Sequence, residues 1–361
     1  MYLSSTLHLF NPSHDEALAA ASPYYYPSQI ARRLSVDWAM LPMLWAEEGD
    51  VIYVPNKMKD SSQEARAISQ KEEETMRNRG IRLVGRREMT PHFWDGITHI
   101  EPWGWDALIC HQLVKMGAPA RLIPSAERLE QMRMLSARHT TTEVLPRLME
   151  RLRAQGVPVT GESYIAHDMA EVMRLVSKYG RVVVKSLWSC SGRGVFTIGD
   201  CPTPSDEGRI NKLLRTQGAV EVEPRYEGIM DLALEFDAKA SGDVAYRGLS
   251  LFLTSPGGGY KANIVAKQEA LQKRLFQSCP FLERHFQTLS HECEKVLSEV
   301  IDGRYEGPLG VDMMVVKDDE GNLQLHPCIE VNVRRTMGYV ACTMGERGIE
   351  QWPEKYPFSR M

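Results

Sequence analysis

Early in the chain, short apolar runs alternate with stretches of helical spacing. Residues 6–10 (Thr-Leu-His-Leu-Phe) read as a short strand, and Asn11-Pro12-Ser13-His14-Asp15 reads as a turn able to cap a helix opening at Glu16. Ser28 can cap a second helix toward Glu48, with Ile30, Leu34, Trp38, Leu41 and Leu44 near helical spacing and Pro42 as a point of kinking. Val51-Ile-Tyr-Val54 and Ile81-Arg-Leu-Val84 read as strands, separated by a charged helical segment over 61–79 that Gly80 closes. This alternation predicts a small parallel sheet covered on both faces.

From Pro124 the texture changes. Helices are expected from Ser125 to Leu135, from about Thr141 to Arg153, and from Asp168 to Gly180. Strands follow at 182–185 and 195–198, then a helix near 206–217 and several strands through Leu253, an α+β order. Residues 281–301 form an amphipathic helix, because Leu282, Phe286, Leu289, Cys293, Val296, Leu297 and Val300 share one face. Two last strands, 310–316 and 323–331, join through Asp318-Asp319-Glu320-Gly321.

At 361 residues the chain exceeds what one core supports, and the domains expected are 1–123 and 124–361, the latter divided into lobes 124–220 and 221–361. Hydrophobic and charged shares of 43% and 25% are those of a soluble globular protein. A net charge of −4, with both signs interspersed, points to neither nucleic acid nor membrane as a partner. Seven cysteines without CxxC spacing favour reduced thiols over zinc or disulfides. With no basic leader and no long apolar run, a cytoplasmic location is expected, and the composition leaves room for a homodimer.

Three features can carry chemistry. In the first, an apolar strand ends at Lys185, and the loop Ser189-Cys190-Ser191-Gly192-Arg193-Gly194 leads into a second strand. Backbone N–H groups of such a loop can fold over phosphate oxygens while the lysine adds charge; the bland alternative is a hairpin with an edge lysine. The second is Asp312 on one strand with Glu330 and Asn332 two apart on the next, three oxygen-bearing side chains on one face that suit Mg²⁺, with Arg334 and Arg335 following. Two carboxylates this close need a cation or arginines beside them. The third is Glu221-Val222-Glu223-Pro224, a strand turning at a proline, followed by Asp231.

In this order the three features resemble the ATP-grasp fold, over roughly 124–340, and the preceding segment is similar to a pre-ATP-grasp domain. The resemblance implies an α/β N-terminal domain, then an α+β fold whose two lobes grip ATP with one or two Mg²⁺, or Mn²⁺. It implies that Lys185 touches the phosphates, that Ser189, Ser191, Gly192, Arg193 and Gly194 cover them, and that Glu221, Val222 and Glu223 form the adenine hinge. Glu223 or Asp231 would hold the ribose, Asp312, Glu330 and Asn332 the metal, and Arg334 or Arg335 the reacting phosphate. Arg138 is the candidate for a second phosphate contact, with a helix-surface arginine as its plain alternative, and Arg247 and Lys261 are further basic candidates. Val333 stands where the family often has proline, and Asp231 where it more often has glutamate. The activity implied is ATP-dependent joining of a small-molecule carboxylate to an amine, or less often a thiol. A small-molecule kinase or a non-catalytic nucleotide sensor are the alternatives. The glycines of 255–260 suit a mobile cover, His14 suits a substrate contact, and the turn around it suits an anionic group. Trp103 and Trp105 read as domain-interface core against the alternative of a pocket wall.

Overall fold

The computed structural model describes residues 5–55, 70–189, 194–254 and 259–361. The chain forms two compact units, Met1–Glu130 with Glu350–Tyr356, and Gln131–Ile349 with Pro357–Met361. Residues 350–356 thus fall in the first unit rather than with the rest of 124–361. The physical reason lies in side chains: Tyr356 meets Trp38 edge-on at 5.8 Å, and Lys355 pairs with Glu72 at 3.4 Å.

In the first unit the elements run β1 (Ser5–Leu9), α1 (His14–Ala20), α2 (Gln29–Asp37), β2 (Val51–Tyr53), α3 (Gln70–Asn78), β3 (Arg82–Val84), α4 (Pro91–Asp95), β4 (Ile97–Pro102) and α5 (Ala107–Lys115). The strands pair in parallel in the order β3-β2-β1-β4. Their apolar side chains feed two cores, one around Leu7, Leu9, Trp94, Ile97 and Leu113, the other around Met40, Ile52, Val54 and Met76. The helix expected over 28–48 is broken. α2 ends at Asp37, and Pro42, which cannot donate to a preceding turn, opens a separate 3₁₀ turn, Leu41–Leu44. Of the helix expected over 61–79, Gln70–Asn78 is described and 61–69 lies outside the described residues.

α6 (Ala126–Leu135) leads into the second unit. Its elements are α7 (His139–Ala154), β5 (Tyr164–Ala166), α8 (Met169–Tyr179), β6 (Val182–Ser186), β7 (Val195–Ile198), α9 (Pro204–Gln217), β8 (Val220–Pro224), β9 (Gly228–Ala238), β10 (Val244–Thr254), β11 (Tyr260–Val265), α10 (Gln268–Ser278), α11 (Phe281–Ile301), β12 (Gly307–Lys317), β13 (Leu323–Asn332), α12 (Met337–Glu346) and β14 (Phe358–Arg360). They make two sheets, β5-β8-β6-β7 and β13-β12-β9-β10-β11-β14. The fold class is therefore α/β in the first unit and α+β in two lobes in the second, the arrangement the ATP-grasp resemblance implies.

β8 inserts beside β6 although α9 and β7 intervene in sequence, because Val182, Val184, Val220 and Val222 bury one apolar face against α8 and α9. That register sets Lys185 opposite Glu221 and Val183 opposite Glu223. In the larger sheet, Asp312 lies opposite Glu330, and Asn332, Gly310 and Glu235 share one rung across β13, β12 and β9. α11 lays its apolar stripe against this sheet, with Leu282, Leu289, Cys293, Val296 and Leu297 fully buried.

Candidate functional site

The site of the second unit is a chain of buried charges. Lys185 is 4% exposed, and its Nζ sits 2.6 Å from Glu223, 3.5 Å from Glu221 and 3.2 Å from the Ile329 carbonyl it donates to on β13. Arg138 lies where α7 begins, not on a helix surface: it is 5% exposed, its Nη2 pairs with Glu330 at 2.9 Å and its Nε faces Glu221 at 3.5 Å. Lys185 of the smaller lobe and Arg138, at the start of the helix that packs on α11 and β13, thus both reach β13. Three carboxylates share them.

This sharing is incomplete. Burial pushes the Glu223 carboxyl up, and although Lys185 pulls it down, the neighbouring Glu221 leaves it raised to about 8. Glu221 is fully buried and accepts from Ser163 Oγ at 2.6 Å, while its Oε2 and Glu223 Oε1 have no hydrogen-bond partner. Both side chains therefore face the cations from mid-strand. Asp231, half-buried, accepts from Thr254 Oγ1 at 2.9 Å, and burial raises its pKa.

On the larger sheet the structure brings Asp312, Glu330 and Asn332 together, with Asn332 Nδ2 donating to Asp312 Oδ2 at 3.1 Å. Burial, then repulsion from Glu330, raises Asp312 to about 7 despite Arg334 nearby. Among the described residues no group of three or more His, Cys, Asp or Glu side chains is placed to hold a metal; the cluster has two carboxylates and an amide. That donor set fits Mg²⁺, which takes a few protein oxygens and completes its shell with water and phosphate, and a cation here would relieve the strain between the carboxylates. Arg334 donates to the Arg335 carbonyl at 3.2 Å, and the buried Arg335 guanidinium lies 4.8 Å from the Tyr339 ring. Arg247 pairs with Glu346 at 2.5 Å, and Lys261 is exposed on β11.

Of the loop expected over the phosphates, Ser189 and Gly194 are described; Ser191, Gly192 and Arg193 lie outside the described residues, as do 255–258 of the expected cover. Gly194 is bound to its loop by geometry. Its φ is +77°, and a Cβ there would meet Ser186 Oγ, so no other residue fits without displacement.

Sequence reasoning missed Glu235. It is 1% exposed, takes the Thr336 hydroxyl at 2.8 Å, and is raised to about 8 by burial, with Asp312 adding to the effect. Its carboxylate occupies room left by two glycines: a Cβ at Gly310 would come 2.6 Å from Glu235 Oε2, and one at Gly338 would collide with Glu235 and with Ser250 Oγ. Glu235 thereby ties β9 to the start of α12, directly behind Arg334 and Arg335. The available signal was a lone acid inside the apolar run Leu232-Ala-Leu-Glu-Phe236.

In the first unit, Trp103 is buried against Phe10 and Trp45, and Trp105 packs on that unit's core. The turn at His14 differs from expectation. Asp106 fills it, 3.1 Å from His14 Nδ1, and α1 opens with Asp15 and Glu16, so the surroundings are acidic rather than suited to an anion.

No protein-family model matches the chain, and no curated protein matches it. Among solved structures it is similar to the biotin carboxylase domain dimer of Hydrogenobacter thermophilus 2-oxoglutarate carboxylase, in complex with MgADP, ADP and bicarbonate, at 14% identity and a TM-score of 0.49, over 99% of this chain and 73% of that one. It is also similar to D-cycloserine synthetase at 15% identity and a TM-score of 0.47, over 95% of this chain and 99% of that one. A third similar structure is N5-carboxyaminoimidazole synthetase from Staphylococcus aureus complexed with ADP, at 12% identity and a TM-score of 0.45, over 93% and 71% of the two chains. No helix among the described residues is long and apolar enough to cross a membrane.

Proposed function

We propose that the second unit binds magnesium ATP and that the protein is an ATP-dependent ligase joining a carboxylate to an amine or thiol, working in the cytoplasm. One observation carries the reading: buried Lys185 of the smaller lobe and buried Arg138 at the start of α7 meet, at 3.2 and 2.9 Å, the strand of the larger lobe that bears Glu330 and Asn332. Cations for a triphosphate and oxygen ligands for its counter-ion are thus set face to face.

In this reading Lys185 exchanges Glu223 for phosphate oxygens. The raised pKa of Glu223 helps, since a protonated carboxyl releases the ammonium more readily than an ionised one. Asp312, Glu330 and Asn332 would hold Mg²⁺, which supplies charge neutralisation on the phosphates when bound. Arg138 then keeps Glu330 oriented, and Arg334, which acts electrostatically on Asp312 and precedes the α12 that Glu235 anchors, would offset the charge that accumulates as the γ-phosphoryl passes to the carboxylate. The transfer breaks the bond from γ-phosphorus to ADP and forms one to the carboxylate oxygen. The amine then attacks the acyl carbon, expels phosphate and loses its extra proton. No side-chain nucleophile is required.

The test is ADP release from the purified chain against panels of carboxylates and amines. ADP formed only when both are present supports the ligase. ADP with a stable phosphorylated product supports a kinase instead, and nucleotide binding without ADP a sensor.

A further inference from the structure

We infer that His8 is a pH-sensitive switch in the first unit, its Nδ1 exchanging the carboxylate of Glu101 for the indole N–H of Trp45 as the ring loses a proton. Register sets His8 of β1 opposite Glu101 of β4, and His8 is 3% exposed. Its Nε2 lies 3.0 Å from Asp50 Oδ2. Its Nδ1 has two neighbours, Glu101 Oε2 at 3.1 Å and Trp45 Nε1 at 3.3 Å. An imidazole nitrogen carries either a proton or a lone pair, so this one can donate to Glu101 or accept from Trp45 and cannot do both.

Asp50 decides which nitrogen is the variable one. Its Oδ1 accepts the Thr6 N–H at 3.1 Å and its Oδ2 the Glu47 N–H at 2.9 Å, so two backbone groups fix the carboxylate toward the ring. An ionised carboxylate only accepts, and Nε2 therefore keeps its proton in both states. The Glu101 side chain is 26% exposed against 12% for Asp50, so Glu101 has water to turn to and is the acid that lets go. With the ring charged, Nε2–H donates to Asp50 and Nδ1–H to Glu101. With the ring neutral, the Nδ1 lone pair repels Glu101 and accepts the Trp45 N–H.

The exchange falls on the alkaline side of the ordinary histidine range. Burial works against a charge on the ring, but Asp50 and Glu101, the charged groups that face it from the turn before β2 and from β4, outweigh burial and raise its pKa above 6.5. The imidazolium thus persists at pH 6.5 and gives way as pH rises through the folded value.

What the proton controls is the tie between the sheet and an aromatic cluster. Trp45 closes the 3₁₀ turn Leu41–Leu44, its backbone N–H bonded to the Pro42 carbonyl at 3.0 Å. Its ring lies edge-on to His8 at 6.2 Å and tilted on Trp103 at 6.3 Å. Trp103 meets Phe10 at 5.2 Å, and Phe10 meets Trp38, which caps the end of α2, at 5.9 Å. Below the transition the Glu101 bond joins β4 to β1. Above it the Trp45 bond joins the turn and its aromatic neighbours to β1 instead.

The experiment titrates the full chain, labelled with ¹⁵N in histidine and tryptophan, from pH 5.5 to pH 9.5 by ¹H–¹⁵N spectroscopy, with His8→Gln and Trp45→Phe assigning the signals. Expected are a His8 midpoint above 6.5, the Nε2–H tautomer in the neutral ring, and a Trp45 indole signal that moves with the same midpoint. Trp45→Phe keeps an aromatic ring and removes the donor to the neutral imidazole, so the midpoint should rise by about 0.5–1 unit. Glu101→Gln should lower it by about 1 unit or more. An Nδ1–H tautomer in the neutral ring, a Trp45 signal that does not follow His8, or a midpoint untouched by Trp45→Phe would each overturn the proposal. Crystals of the unaltered protein at pH 5.5 and pH 9.5 decide the matter if a variant fails to fold: Nδ1 should bond Glu101 in the first and Trp45 in the second, and one arrangement at both overturns it. Nucleotide binding in the second unit is not involved, so the outcome is separable from the ligase reading.

Discussion

Replacing Asp312 by asparagine should make the metal-free protein more stable while abolishing its response to magnesium ATP. Burial and the facing Glu330 raise Asp312 from 3.8 to about 7. A folded pKa above the unfolded one means that ionisation favours the unfolded chain. The penalty therefore grows as pH rises above 3.8 and levels off beyond the folded value. Three units correspond to about 4 kcal/mol, an upper bound because Glu330 shares the repulsion. Asparagine keeps an oxygen to accept from Asn332 Nδ2 and removes the charge. About half that bound, some 2 kcal/mol, is on the order of 4–8 °C in melting temperature for a unit of this size. The assay is thermal unfolding of wild type and variant with EDTA at pH 5 and pH 8, then with magnesium and excess ATP. The variant should melt higher at pH 8, with the gap shrinking at pH 5. Wild type alone should gain about 2.7 kcal/mol from nucleotide at a hundred times its dissociation constant. Equal melting at pH 8, or an undiminished nucleotide shift in the variant, would refute the reasoning.

Glu330→Gln should leave the fold standing and remove turnover, checked by ADP release, because Gln can still accept from Arg138 but offers no charge to a cation. Lys185→Met leaves buried Glu223 without its cation and Glu221 with Arg138 alone, so it should destabilise by about 3–5 kcal/mol in urea unfolding as well as losing nucleotide affinity. Gly338→Ala drives a methyl into Glu235 and Ser250; a loss of about 1–3 kcal/mol is expected, with kcat falling more than affinity for ATP, since α12 follows Arg334 and Arg335. In the first unit, burial opposes charge on His8, but its bonds to Asp50 and Glu101 raise it above 6.5; at Asp50 burial also opposes charge, yet His8 and two backbone N–H groups hold it below 3.8. The His8 contribution is present below 6.5 and lost as pH rises through its folded value, and that of Asp50 is lost as pH falls below 3.8. His8→Gln should flatten the alkaline limb of a stability-against-pH curve.

The hairpin that carries Asp312 and Glu330 was legible because strand alternation has a period of two and a turn at Gly321 joins the strands; its register was not, since counting from the turn sets Asp312 opposite Cys328 and an irregularity between Asp312 and Met314 brings Glu330 there instead. The parallel sheet of the first unit was legible for a similar reason. The pairing of Lys185 with Glu223 was not, since it depends on β8 inserting next to β6 across an intervening helix and strand, a choice made by apolar packing of the whole lobe. For Arg138 the sequence left a phosphate contact and a helix-surface side chain both open, because a helix start gives no hint of what it points at; two carboxylates from separate strands decide its place. Glu235 hid in an apolar run, its room supplied by Gly310 and Gly338, which are 28 residues apart. Long-range complementarity of this kind leaves no local period.

The central claim is that a triphosphate lies between Lys185 and the Asp312–Glu330 pair. A crystal structure with Mg²⁺ and a non-hydrolysable ATP analogue measures this directly. The account predicts phosphate oxygens on Lys185 Nζ, with the metal coordinated by Asp312 and Glu330. Nucleotide bound elsewhere, or a metal that ignores both carboxylates, would contradict it.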